Sequence, residues 1–160
     1  MYRQFVFEGD VHQALDCVPL VVRRKLDVAG LKISLAGWQA LTRAERLALC
    51  HLPVDGAEDL AVYQEVMRAF AERAGAELKA LPATETDAGA WAASAVPERV
   101  RTRAVELGCG AALEARWAGL DEEARYALHK LADPKREPGK LAAALGELGI
   151  VGARGGVGAG

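Results

Sequence analysis

The sequence predicts an all-α protein, a compact helical domain of two similar three-helix repeats that a longer central helix joins, with a C-terminal helix after them. Three observations predict this fold class. Apolar residues recur at helical spacing, proline and glycine stand where those stretches begin and end, and one segment returns later in the chain. We expect a single helical domain over residues 1–150 and a flexible glycine-rich tail over residues 151–160.

The internal repeat consists of residues 18–53 and residues 96–134. The two segments align at an offset of 78 residues and, after a one-residue insertion, at an offset of 79. Shared composition does not readily place two of the three tryptophans and a helix-ending glycine in the same order, so we predict a duplication. The matched pairs are Pro19 with Pro97, Gly30 with Gly108, Leu35 with Leu113, Trp38 with Trp117, Leu41 with Leu120 and Arg46 with Arg125.

Each repeat is predicted to contain three short helices. Pro19 and Pro97 suit the first turn of the first helix, where a missing amide hydrogen costs nothing. Gly30 and Gly108 suit the end of that helix, because a left-handed residue is easy there only without a Cβ. A loop is expected next, and the capping-box spacing that begins at Thr42 opens the third helix of the first repeat.

Three further stretches complete the predicted order. A central helix over residues 56–74 carries apolar side chains on one face, residues 76–95 form a surface connection, and a last helix spans residues 138–149. Trp38 and Trp117 are predicted to be structural anchors of their repeats, because buried tryptophans more often fill a core than form a platform for a ligand.

Composition excludes several classes of protein. With 51% hydrophobic residues, 26% charged residues and a net charge of −2, the chain is neither disordered nor a nucleic-acid binder that works by bulk charge. No apolar run approaches the roughly 18 residues of a membrane span, and a charge comes too early for a signal peptide, so no membrane contact is expected. Three cysteines without a C-x-x-C pair indicate free thiols and a cytoplasmic protein.

Side chains that could carry chemistry are sparse. Cys50 and His129 occupy equivalent places in the two repeats, yet a metal site needs three or four ligands and no spacing supplies them. Ser34 and Ser94 lie outside any G-x-S-x-G motif, and Ser34 is better explained as a helix cap. We therefore predict no catalytic residue, no metal and no cofactor, and we expect a protein that is not an enzyme.

The charge distribution predicts a partner-binding face in the first repeat. Residues 18–53 carry six basic residues against two acidic ones, a local charge of +4, whereas residues 54–95 carry a charge of −5. The alternative is a solvated helix face whose charges pair with the acidic central helix, because most surface ion pairs carry little specific energy. The candidate partner-binding residues are Arg23, Arg24, Lys25, Asp27 and Lys32.

Two strings carry a family resemblance: F-V-F-E at residues 5–8, and R-x-K-L-D-x-x-G-x-K from Arg23 to Lys32. With them the chain resembles the nitrate reductase-associated protein family over about residues 5–148. The resemblance implies a cytoplasmic accessory protein of nitrate assimilation, which supports or matures a molybdenum-dependent nitrate reductase by protein–protein contact. The implied partner is assimilatory nitrate reductase, and no catalytic residues are implied. The second repeat lacks the K-L-D string, so functional positions are not transferred to it.

The residues leave two other functions as alternatives. Short helix–turn–helix units with arginine-rich first helices suit a DNA major groove, although a pI near 5.9 makes a nucleic-acid-binding module the less favoured choice. A carrier of a metal or of the molybdenum cofactor ranks last, because the sequence contains no ligand cluster, although arginine and backbone contacts can hold a cofactor.

Overall fold

The computed structural model describes residues 1–82, 88–92 and 94–152. Within these residues the regular structure is almost entirely helical, which confirms the predicted all-α class, and the exception is one short pair of strands. The predicted tail lies outside the described residues from residue 153 onward. None of the helices in the described residues is both long enough and apolar enough to cross a bilayer.

Helices and short strands follow one another along the described residues. Their bounds are α1 Val11–Ala14, α2 Leu20–Ala29, β1 Leu31–Ile33, α3 Leu35–Ala40, α4 Arg43–His51, α5 Ala57–Ala74, β2 Leu78–Ala80, α6 Glu98–Glu106, α7 Gly110–Arg116, α8 Glu122–Leu131 and α9 Pro138–Glu147. Short 3-10 helices lie at Val6–Glu8, Ala88–Trp91 and Trp117–Gly119. The first predicted repeat thus corresponds to α2, α3 and α4, the central helix to α5, the second repeat to α6, α7 and α8, and the last helix to α9.

Tertiary contacts divide the chain into two compact units. The first unit contains Met1–Gln4 and Glu8–Ala88, and the second contains Phe5–Phe7 and Gly89–Gly160. The sequence predicts one helical domain over residues 1–150, and the structure distinguishes two units within that range. Each unit holds one of the two predicted repeats, with the central helix in the first unit and the last helix in the second.

A two-stranded antiparallel sheet lies in the first unit, between the residues that follow α2 and those that follow α5. A loop and a surface connection are expected from the sequence at these places, so the sheet is an addition to the predicted fold. Strands of three residues are too short to show the period of two that identifies a strand in a sequence. The register pairs Leu31 with Ala80, Lys32 with Lys79 and Ile33 with Leu78.

Glycine follows the first helix of each repeat, as the sequence predicts. Gly30 and Gly108 have φ angles of 70° and 77°, in the left-handed region that side chains with a Cβ rarely adopt. Pro19 and Pro97 lie one residue earlier than expected, at the N-cap and not in the first helical turn. The N-cap position suits proline as well, because its amide hydrogen is not needed for an intrahelical bond.

Side-chain caps begin the third helix of each repeat. The Thr42 hydroxyl accepts a hydrogen bond from the Glu45 amide at 3.1 Å, and the Glu45 carboxylate accepts one from the Thr42 amide at 3.3 Å. In the second unit the Asp121 carboxylate accepts a hydrogen bond from the Ala124 amide at 2.7 Å. Both caps satisfy amides that have no partner within the helix, so the sequence sets these starts locally.

Each unit has its own apolar core. In the first unit Trp38 of α3 packs with Tyr63 and Met67 of α5, and all three side chains are fully buried. In the second unit Trp117 is 2% exposed and Leu128 of α8 is fully buried. The two aligned tryptophans therefore lie inside their units, where large aromatic side chains contribute most to packing.

Candidate functional site

The basic residues expected to form a docking face do not share one exposed surface. Arg24 and Lys25 are only 6% and 5% exposed, whereas Arg23 and Asp27 are half-buried and Lys32 is exposed. Helix α2 packs against α4, α5 and β1, so several of its sides face the interior. Arg24 and Lys25 thus lie inside the first unit and not on an exposed face.

Lys25 is buried because its ammonium group has a partner in the interior. Its Nζ atom donates a hydrogen bond to the carbonyl oxygen of Cys50 at 2.6 Å. Cys50 lies in the last turn of α4, where carbonyl groups have no partner within the helix and the helix dipole favours a cation. The apolar stem of the lysine side chain adds to the core, so the cation stabilises the end of α4.

The thiol of Cys50 lies in the same buried region. Burial raises the pKa of this thiol to about 11, although the Lys25 ammonium and a hydrogen bond from the Tyr2 hydroxyl oppose the shift. Burial also raises the pKa of Tyr63, whose hydroxyl donates to the Leu49 carbonyl at 3.2 Å. The thiol is therefore protonated at neutral pH, and the thiolate that cysteine catalysis and metal binding require is suppressed.

The N-terminal segment contacts this region through the Glu8 carboxylate. One carboxylate oxygen lies 3.0 Å from Nε2 of His12, and the other accepts a hydrogen bond at 2.9 Å from the amide of Leu20, the first residue of α2. A carboxylate at a helix N-terminus satisfies a free amide and is favoured by the helix dipole. The Tyr2 ring lies beside His12 and His51, with centroid separations of 5.5 Å and 4.9 Å.

The polar groups around Cys50 stabilise the ends of helices. Lys25 caps the end of α4, and Glu8 binds the start of α2. Across residues 1–82, 88–92 and 94–152, no group of three or more histidine, cysteine, aspartate and glutamate side chains is arranged to hold a metal ion. Cys50 and His129, the pair considered as shared metal ligands, belong to different units.

Trp38 and Arg46 meet at a single backbone carbonyl. The Trp38 indole donates to the Leu15 carbonyl at 2.7 Å, and the Arg46 guanidinium donates to the same oxygen at 2.8 Å. Arg46 also donates to the Leu41 carbonyl at 3.2 Å. Leu15 has a φ angle of 56°, a left-handed conformation that is uncommon without glycine. Two donors on its carbonyl hold the segment before α2 to α3 and α4.

The second unit contains equivalent contacts. The Trp117 indole donates to the Ala92 carbonyl at 2.9 Å, and the Arg125 guanidinium donates to the Trp91 carbonyl at 2.9 Å. Arg125 also donates to the Leu120 carbonyl, the position that aligns with the second acceptor of Arg46. In both units the aligned tryptophan and arginine thus bind the preceding segment to the helices of the repeat.

A second equivalence concerns the last turn of the third helix. Cys50 aligns with His129. The backbone carbonyl of each accepts a hydrogen bond from a basic side chain on the first helix of the same repeat. The donor is Lys25 in the first unit and Arg99 in the second, where the shorter of two hydrogen bonds measures 2.9 Å. These donors do not align with each other, so the contact is shared although the residue position is not.

Lys32 is the candidate docking residue that lies in solvent. It stands on β1 directly opposite Lys79 of β2, and both side chains are exposed. Two ammonium groups therefore project from the same face of the sheet, since directly paired residues point to the same side. This lysine pair is a local concentration of positive charge that the linear sequence does not display.

A family model described as conserved nitrate reductase-associated protein matches residues 4–148. The chain belongs to this family. Its name indicates an association with nitrate reductase, and the matched region includes both repeats and the R-x-K-L-D-x-x-G-x-K string. No curated protein and no solved structure shows significant similarity to the chain. The resemblance found in the sequence is therefore confirmed at the level of the family.

Sequence reasoning missed Lys79 and the N-terminal contacts of the Cys50 region. Lys79 lies in a stretch that is predicted to be a surface connection, and Val6–Glu8 forms a 3-10 helix. Glu8 contacts the Leu20 amide only after the chain has turned back. Helical period and caps report local structure, so neither signal could have identified these contacts between distant residues.

Proposed function

We propose that this family member is a non-catalytic accessory protein of nitrate assimilation, which supports or matures a molybdenum-dependent nitrate reductase by protein–protein contact in the cytoplasm. The observation that carries the proposal is the family match over residues 4–148, because the family name links the chain to nitrate reductase. The partner is assimilatory nitrate reductase, and the contribution of the chain is a binding surface.

The state of the thiols supports a role without catalysis. All three cysteines are free, Cys50 and Cys109 are buried, and burial raises the pKa of both thiols. A cysteine nucleophile needs the opposite shift, towards thiolate at neutral pH. Free thiols also agree with a reducing compartment, which supports the cytoplasm as the location.

The position of the basic residues of α2 favours a protein partner over nucleic acid. A recognition helix needs exposed side chains that reach base edges or phosphates. Arg24 and Lys25 are buried, and the Arg23 guanidinium donates to the Val18 carbonyl at 3.1 Å. An α2 whose cations face inward is poorly suited to enter a groove of DNA.

Co-purification with the reductase tests the proposal. The tagged chain is produced together with nitrate reductase from the same genome, and the complex is isolated and quantified by native mass spectrometry. We expect the reductase to be retained with a fixed stoichiometry. The control is an unrelated molybdenum enzyme produced at the same level, which should not be retained. Absence of the reductase from the isolated protein contradicts the proposal.

The molybdenum content of the reductase distinguishes maturation from support. The reductase is purified from cells with and without the chain, and its molybdenum per polypeptide and its activity are measured. A lower molybdenum content without the chain indicates maturation, whereas full molybdenum with lower activity indicates support of the assembled enzyme. If both quantities are unchanged, an accessory role in either sense is wrong.

A further inference from the structure

We infer that the exposed surface formed by Lys32, Leu35 and Lys79 binds an acidic segment of a partner protein, in which carboxylates lie beside an apolar side chain. We name this surface the lysine ribbon. The inference deepens the proposed function and depends on it for the identity of the partner, nitrate reductase. The chemistry of the surface itself is argued from the sheet register, the exposure of its side chains and their charge.

The register of the sheet brings the two lysines together. Lys32 is the direct partner of Lys79, in a sheet whose neighbouring pairs are Leu31 with Ala80 and Ile33 with Leu78. Directly opposed residues of an antiparallel pair have Cβ atoms about 4.5–5.5 Å apart and point to the same side. Both ammonium groups can therefore contact one carboxylate, or two carboxylates that follow each other in an extended segment.

The two opposed lysines destabilise the strand pair while no partner is bound. Directly opposed charges of one sign destabilise a strand pair. Glu77 lies 3.9 Å from the Lys79 ammonium, but this pair is highly exposed, at 66% and 78%, so it contributes little. Within residues 1–82, 88–92 and 94–152, the ammonium group of Lys32 has no hydrogen bond or ion pair. A carboxylate supplied from outside would relieve the repulsion and complete the pairing.

An exposed leucine follows β1 closely in the chain. Leu35 is 52% exposed at the first position of α3, two residues beyond the end of β1. The turn between them is held by the Ser34 hydroxyl, which accepts a hydrogen bond from the Gly37 amide at 3.0 Å. A large apolar side chain beside charged groups is typical of protein contact surfaces, so the segment that binds should carry an apolar residue next to its carboxylates.

The amount of charge decides the class of partner. Binding to a nucleic-acid backbone depends on several lysine and arginine contacts with successive phosphates. The lysine ribbon offers two cations, and the whole chain carries a net charge of −2, which repels a long polyanion. A short acidic stretch of protein matches two cations and one leucine. At such an exposed surface, charge complementarity mainly sets partner choice and association rate.

Charge reversal of both lysines tests the inference against the reductase. We expect the variant K32E/K79E to bind with a Kd raised about tenfold or more at low salt, measured by biolayer interferometry. The matched control is K135E/K140E, which changes the net charge equally at two exposed lysines of the second unit and should keep the Kd within about twofold. Equal weakening by both variants, or by neither, overturns the inference.

The single variant Lys32→Glu separates binding from folding. It places opposite charges across the sheet, so it should raise the thermal midpoint of unfolding slightly while it weakens binding of the reductase. A damaged fold would lower both quantities. If Lys32→Glu leaves reductase binding at the wild-type level, the lysine ribbon is not the contact.

A peptide titration tests, without the reductase, whether the lysine ribbon binds an acidic segment. The probe is a synthetic peptide of sequence Glu-Glu-Leu-Glu-Glu, and amide chemical shifts of the full chain are followed by NMR. We expect the largest changes at Lys32, Leu35 and Lys79, and their loss at high salt, since exposed charges are screened. Changes of equal size at Lys135 and Lys140 overturn the inference. A wild-type chain that binds this peptide but no reductase refutes the proposed function alone.

Discussion

Lys25 and Lys32 are basic residues of the same repeat with opposite environments. Lys25 is 5% exposed, and its ammonium binds the Cys50 carbonyl, whereas Lys32 is exposed on β1. A buried ammonium group must be hydrogen-bonded, because an unpaired charge in the interior costs several kcal/mol. An exposed ammonium group stays hydrated and is available to a partner. Burial, and not residue type, therefore separates the structural lysine from the binding lysine.

The variant Lys25→Met tests the structural role of this lysine. It should lower the free energy of unfolding by about 1–3 kcal/mol, because the Cys50 carbonyl loses its buried donor while the apolar stem is kept. Urea unfolding followed by circular dichroism measures the loss. Lys32→Met is the matched control and should stay within about 0.5 kcal/mol of wild type. Equal effects of the two variants would contradict the assignment.

The Cys50 thiol makes stability depend on alkaline pH. Its pKa is about 11 in the folded chain, above its ordinary value of about 8.5 in an unfolded one. The stability that the buried neutral thiol contributes is fully present below the pKa of the unfolded chain, and it is lost as the pH rises through the pKa of the folded chain. The free energy of unfolding should therefore decrease between about pH 9 and pH 11. Cys50→Ala should make this decrease smaller, as measured by urea unfolding at each pH. Identical pH profiles for the two proteins would contradict the prediction.

Helix ends are the elements that local sequence determines best. Gly30 has a φ angle of 70° at the end of α2, and Thr42 and Glu45 cap the start of α4 reciprocally. Each of these features involves residues at most a few positions apart, and the steric or hydrogen-bonding reason for them is present in any context. They favour these helix starts and ends without a contribution from tertiary contacts.

Two glycine substitutions should change the stability of the chain in opposite directions. Gly30→Ala should destabilise the chain by roughly 1–2 kcal/mol, because a Cβ is strained in the left-handed region. Gly146→Ala, in α9 with no atom within 4 Å of the added Cβ, should stabilise it by about 0.5–1 kcal/mol through helix propensity. Thermal unfolding measures both. A change of the same sign in the two variants would refute this account of the helix ends.

The helical elements could be predicted from the sequence, but the sheet and the lysine ribbon could not. The start at Thr42 and the ends at Gly30 and Gly108 carry local signals, and the structure places them as expected. The partner of Lys32 lies beyond the central helix, and three-residue strands have no readable period. The burial of α2 on several sides likewise follows from tertiary packing, which a single apolar stripe does not reveal.

At the scale of the whole molecule, the aligned tryptophan and arginine of the two units make similar hydrogen bonds to the preceding segment. Trp38 and Trp117 donate to carbonyls of the segments before their repeats, and Arg46 and Arg125 each donate to more than one carbonyl. These contacts agree with the predicted duplication in their donors, which are aligned tryptophans and arginines, and in one pair of acceptors, Leu41 and Leu120. The lysine ribbon has no aligned counterpart, since β1 and β2 both belong to the first unit.

Matched arginine substitutions test whether the two units are built alike. Arg46→Met and Arg125→Met should each lower the free energy of unfolding by about 1–3 kcal/mol, because each removes a guanidinium that donates to at least two backbone carbonyls. Arg68→Met, at an exposed position of α5, should stay within about 0.5 kcal/mol of wild type. Denaturant unfolding measures all three. A large loss for one of the paired arginines and none for the other would contradict structural equivalence.

Isothermal titration of purified nitrate reductase with the purified wild-type chain tests the central claim, that this family member acts through its exterior on that enzyme. We predict saturable binding with a defined stoichiometry at low salt. The affinity should fall as the salt concentration rises, because the contact includes exposed lysines. Absence of any binding heat at low salt and high protein concentration, together with no complex in size-exclusion chromatography, would contradict the account.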